Sequence, residues 1–97
     1  PVVIVEDCLS AIKTTRLGAL AIPCLGSTMG KDKLARLRAV LGVSRPYVVW
    51  LDSNMYDKAQ QISQRLSMLG CHTRVVWSKE DPKCYDNKYI EEQITLA

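Results

Sequence analysis

No apolar run in this 97-residue sequence approaches the roughly 20 residues a helix needs to cross a bilayer, so no membrane anchor is expected. A secretory signal is missing too, because Glu6 and Asp7 break the only apolar stretch near the start. Cys8, Cys24, Cys71 and Cys84 stand far apart, with no CxxC pair and no Cys/His cluster. That spacing argues against structural zinc, and a chain with ample core does not need a disulfide framework. The thiols are expected to be reduced and mostly to fill core, with the cytoplasm as default compartment. Low-complexity segments and internal repeats are absent. Hydrophobic residues at 47% and charged residues at 24% exclude a disordered tail. Nor is there a strong charge imbalance: 13 basic against 10 acidic residues leave a formal +3, compatible with nucleic acid without demanding it. The sequence also lacks an initiator Met and opens on Pro1-Val2-Val3-Ile4-Val5, already strand-like. Residues 1–97 are therefore expected to form one domain, cut from a longer protein.

The β-branched run Val2–Val5 suits a strand buried on both faces. Asp7 stands at an N-cap position ahead of Leu9, Ala11 and Ile12, and Gly18 ends that helix. Ala19–Leu25 is a second strand, placed at an edge or finishing there because Pro23 cannot donate to a ladder. After the loop from Gly26 to Gly30, Lys31–Leu41 sets Leu34, Leu37, Val40 and Leu41 at helical spacing. Tyr47–Leu51 is a third strand. Ala59, Ile62, Leu66 and Leu69 mark a third helix, and Thr73–Trp77 a fourth strand. Ser78–Asn87 reads as a polar loop, and Lys88–Ile94 as a last short helix. Alternating strands and helices predict an α/β domain: a four-stranded parallel, Rossmann-like sheet with helices on both faces and right-handed crossovers. Trp50 and Trp77 are expected in the core.

In such sheets ligands sit outside the carboxyl ends of the strands, near a topological switch point. Acidic residues follow three of the four strands: Glu6-Asp7, Asp52 and Glu80-Asp81. For Asp7 alone, capping the following helix accounts for the residue. Glu6, Asp52 and Asp81 together are a group of like charges that costs stability unless a cation or a basic partner neutralises it. With the amide of Asn54 beside them, they form an oxygen-rich set of the kind Mg²⁺ prefers when it shares its shell with substrate phosphates.

The ordered set Val3-Ile4-Val5-Glu6, Leu25-Gly26-Ser27, Val49-Trp50-Leu51-Asp52-Ser53-Asn54 and Lys79-Glu80-Asp81-Pro82 resembles the TOPRIM domain. That domain is shared by primases, topoisomerases and several nucleases. The Leu-Gly-Ser loop and the Asp-Pro element are most similar to primases and primase–helicases of bacteriophages, which would place the chain in the host cytoplasm. The resemblance implies that Glu6 is a general acid/base or a metal ligand. It implies that Asp52 is a direct or water-mediated ligand of Mg²⁺ (or Mn²⁺), that Asn54 takes the second acidic position, and that Asp81 is a further acid near the metal. The activity implied is nucleotidyl transfer in primer synthesis, with DNA template, nucleotides and a helicase or other replication proteins as partners. A nuclease that uses the same acids to activate water is the second reading. A degenerate module that binds nucleic acid or protein without catalysis is the third.

Three positions depart from the family: Asp7 replaces the usual Gly, Asn54 brings no charge, and Tyr56-Asp57 replace small residues. Asp57 either restores the lost charge or caps the third helix. A receiver-like domain with Asp52 as acceptor also places acids at strand ends, but fits Ser78–Pro82 less well. Ser27, Lys31 and Lys33, at a helix N-terminus, are candidate phosphate-binding residues, and so are Lys79 and Lys83, which flank Asp81. Local charge balance for Glu80 and Asp81 explains the last two equally well. His72 falls on the opposite edge, without an assigned role. Tyr56 is either packed or available to stack on a base.

Overall fold

The computed structural model describes residues 1–25, 29–80 and 82–95. Four strands, β1 (Val2–Val5), β2 (Leu20–Pro23), β3 (Tyr47–Trp50) and β4 (Thr73–Val75), alternate with four helices. The helices are α1 (Cys8–Thr15), α2 (Lys31–Leu41), α3 (Tyr56–Met68) and α4 (Asn87–Thr95). All strand pairs are parallel, in the order β2-β1-β3-β4, with Val5 level with both Pro23 and Trp50. β2 is an edge strand, as Pro23 requires.

The two inner strands are fully buried, and their alternation divides the core into two layers. Val2, Ile4, Tyr47 and Val49 face Leu34 of α2 and Ala59, Ile62 and Leu66 of α3. Val3, Val5, Val48 and Trp50 face Ala11 of α1 and Ile90 and Ile94 of α4. Each such aliphatic side chain removed from water contributes about 1.5–3 kcal/mol, which explains why short strands suffice. The ring of Trp50 also packs near Tyr85 and Tyr89, with centroids 6.1 Å away in each case. Its indole N–H donates to Ser78 Oγ at 2.7 Å, tying the segment after β4 to β3.

From β1 the chain crosses by α1 to β2 on one side, and from β3 it crosses by α3 to β4 on the other. The carboxyl ends of β1 and β3 therefore flank the point where the winding reverses, and a crevice is expected there.

Some expectations need correction. β4 ends at Val75, and Trp77 is 58% exposed rather than core. Val40 projects from α2 into solvent, as do Leu9 and Ile12 from α1. The inner face of α1 is made instead by the small residues Ser10, Ala11 and Thr14, which let the helix lie close to the sheet. Only Cys24 and Cys71 are buried; Cys8 and Cys84 are exposed, and all four are free thiols. Asp57 lies inside the first turn of α3 and does not cap it. Among the described residues, no helix is long and apolar enough to cross a membrane.

Candidate active site at the carboxyl ends of β1 and β3

Glu6 follows β1 directly. Its backbone carbonyl accepts from the Leu25 amide at 2.9 Å, which continues the ladder and fixes the residue just beyond the end of β1. Cys24 and Lys58 are among the groups that reach its carboxylate. The buried Cys24 thiol donates to Oε2 at 3.4 Å, and the Lys58 ammonium lies 3.4 and 3.5 Å from Oε2 and Oε1. Burial, followed by the nearby Glu6 charge, pushes the Cys24 thiol up, so it stays protonated and serves as a donor.

Asp7 is the N-cap of α1: its Oδ1 accepts from the Ser10 amide at 2.8 Å, and Oδ2 pairs with Lys83 at 2.6 Å. Burial alone would raise this carboxyl. The hydrogen bonds from Lys83 and Ser10 outweigh burial and hold it below the ordinary 3.8. Lys83 is fixed from several sides, because its amide meets Ser10 Oγ and its carbonyl accepts from Lys13. Lys13 also donates to the Tyr85 carbonyl. The 82–85 segment is thereby stitched to α1.

Asp52 behaves oppositely. Only its backbone carbonyl is used locally, accepting from the Met55 amide at 2.9 Å to start the 3₁₀ turn Ser53–Met55. Its carboxylate caps nothing. Burial raises its pKa above 3.8, and the charges of Glu6, Asp7 and Glu80 raise it further, against Lys83. The acids thus lie close enough to repel one another.

Among the other sequence candidates, Asn54 is exposed in the 3₁₀ turn. Lys79 is exposed, and its carbonyl accepts from Ser53 Oγ at 3.4 Å, which brings the loop after β4 to the end of β3. Lys31 and Lys33 are exposed in the first turn of α2, around a cavity of about 620 Å³ that Asp32, Arg36 and Arg65 also border. Arg65 anchors the start of α2 by donating to the Met29 carbonyl at 3.2 Å. Ser27 and Asp81 lie outside the described residues. Tyr56 is 39% exposed and accepts from Gln60, so it packs into no core. His72 lies at the amino-terminal edge, where a cavity of about 690 Å³ opens between Pro1, Pro46, Tyr47 and Ile94, far from the acids.

Sequence reasoning missed Lys58 and Cys24. Lys58 carried a usable signal: it stands six residues after the strand-end acid Asp52, in the first turn of the helix that follows. The contact of Cys24 with Glu6 needed the β1–β2 register, which no local pattern reveals.

Among the described residues, no three His, Cys, Asp or Glu side chains converge closely enough to hold a metal on their own. The donor set is nonetheless hard and oxygen-rich: Glu6 and Asp52 follow neighbouring strands, and Asn54 stands in the 3₁₀ turn just beyond Asp52. Such a set fits a divalent ion whose shell is completed by water and a substrate phosphate, and does not fit a preformed protein cage. Comparison with protein-family models, with curated proteins and with solved structures yields no match.

Proposed function

We propose that this chain is a TOPRIM-like catalytic domain performing divalent-metal-dependent phosphoryl transfer on nucleic acid, with primer synthesis as the reaction. The observation that carries the proposal is the Asp52 carboxylate. It stands at the switch point, caps nothing, and is raised by burial and by Glu6, Asp7 and Glu80. A charge that costs stability and serves no fold element calls for a cationic ligand.

Glu6, Asp52 and the Asn54 carbonyl would hold Mg²⁺ or Mn²⁺. When bound, the ion supplies Lewis-acid stabilisation of charge on the phosphoryl oxygens. Glu6 takes the proton of the primer 3′-hydroxyl as its oxygen bonds to the α-phosphorus and pyrophosphate departs. Lys79, beside the 3₁₀ turn, faces the incoming phosphates. Lys31, Lys33, Arg36 and Arg65 form a basic flank suited to the template backbone. A helicase or another replication protein is the partner expected on this reading.

A second reading, a module that binds nucleic acid or protein without catalysis, is favoured by two observations. Asn54 brings no charge, and Lys58 already neutralises Glu6.

Titration of the chain with Mn²⁺ by calorimetry, alone and with ATP, separates the readings. The catalytic reading expects weak binding of the ion alone and much tighter binding with ATP, both lost in Glu6→Ala and Asp52→Ala. Silence in the presence of ATP leaves the binding module ahead.

A further inference from the structure

The proposed reaction leaves unexplained why a lysine rests on the carboxylate that a metal should share. Lys58 lies in the first turn of α3, immediately beyond the 3₁₀ turn that carries Asp52 and Asn54. Its side chain is 15% exposed, so it is not wholly sealed from water. It straddles the two Glu6 oxygens at 3.4 and 3.5 Å, whereas a charge-assisted bond closes to about 2.7–2.9 Å. The contact is loose on both arms.

Lys83 supplies the contrast within the same site. It grips Asp7 at 2.6 Å, and that carboxylate also caps α1, so moving Lys83 would disturb the helix start. Releasing Lys58 disturbs no cap. A four-carbon stem with a compact charge can swing by rotamer change alone. A divalent ion and an ammonium on one carboxylate repel each other. An entering phosphate brings the negative charge that lets both cations stay.

We propose that Lys58 is a phosphate-binding residue of the site. It rests on Glu6, and when substrate enters it moves to a phosphoryl oxygen of the nucleotide, leaving Glu6 to the divalent ion. The inference rests on the metal-dependent reading above and adds to it a residue that competes with the metal until substrate arrives.

The test compares wild type with Lys58→Met, which keeps the apolar stem, Lys58→Arg, which keeps the charge, and Lys88→Met, which removes an equal charge from α4. All four are first checked for matching circular dichroism. Two affinities are measured by calorimetry: Mn²⁺ alone, and ATP at saturating Mn²⁺. Lys58→Met should bind Mn²⁺ alone roughly fivefold tighter, because a repelling cation is gone. It should bind ATP roughly tenfold more weakly, because a phosphate partner is gone. Lys58→Arg should restore most of the ATP affinity, and Lys88→Met should change neither constant by more than about twofold. An unchanged ATP affinity in Lys58→Met overturns the inference whatever happens to Mn²⁺, and leaves the phosphoryl-transfer reading standing. A wild type that binds neither Mn²⁺ nor ATP removes that reading and this inference with it.

Discussion

Asp7 and Asp52 each stand two residues beyond the paired Val5 and Trp50, at the same level of neighbouring strands, yet their surroundings push them in opposite directions. Asp7 is drawn into the fold: it caps α1, pairs with Lys83, and lies below its ordinary pKa. Asp52 is held above its ordinary value by burial and by three other carboxylates, while its side chain supports no helix. An acid at a strand end is therefore not in itself a sign of chemistry. One of this pair is explained by the fold. The other remains a cost that the Lys83 charge does not cancel, which is the pattern expected of a functional carboxylate.

The comparison breaks most sharply by exchanging the roles. Asp52→Asn keeps the shape and removes the charge. Nucleotide incorporation on a single-stranded template should fall at least ~100-fold, the usual size of a lost electrostatic group in a water-poor site. The urea midpoint should stay level or rise slightly, since a repelled charge is gone. An Asp52→Asn protein with full turnover ends the catalytic reading of this residue.

Asp7→Ala should do the reverse at smaller scale. Loss of the cap costs about 1 kcal/mol of stability, visible as a lower urea midpoint with an unchanged slope. Metal-dependent activity should remain within about threefold, because the Asp7 carboxylate already has its partners in Ser10 and Lys83.

How much of this was legible beforehand follows from the range of the forces involved. The parallel sheet, the edge position of β2 and the N-cap at Asp7 come from period, proline and capping chemistry, which act within a few residues. That Glu6 and Asp52 follow neighbouring strands at one edge was foreseeable from strand ends alone, because parallel strands bring their carboxyl ends together. Trp77 was misplaced because an apolar run does not say where pairing stops. Val40 was misplaced because α2 carries more apolar positions than one buried stripe can hold. Lys83 reads from the sequence either as a phosphate-binding residue or as charge balance for Glu80 and Asp81, its neighbours in sequence. Its partner Asp7 lies 76 residues away, brought near by stitching between α1 and the 82–85 segment. Side-chain pairs of that kind depend on tertiary register, and a single sequence does not display it.

The smallest expected effect is in the acid limb of the stability curve, and it separates the two acids by pH window. A carboxyl held below 3.8 in the folded state stabilises the fold fully above 3.8, and that stabilisation fades as pH falls through the lowered value. This is the behaviour of Asp7. A carboxyl held above 3.8 acts with the opposite sign: its ionised form is a burden at neutral pH. The burden lifts as pH falls from the raised value to 3.8, and nothing changes below that. Urea midpoints measured between about pH 2 and 6 should therefore lose part of their acid decline below 3.8 in Asp7→Ala. In Asp52→Asn they should lose a shallow rise just above 3.8. Both acids are partly open to water, so each change is damped by solvent and shrinks with added salt. Lys83→Met should shift the Asp7 decline to higher pH, because burial then meets less opposition from hydrogen bonding. If Lys83→Met instead left that decline in place while Lys58→Met moved it, the Asp7 carboxylate would be governed from the crevice rather than from its own helix, and the division between the two acids would fail.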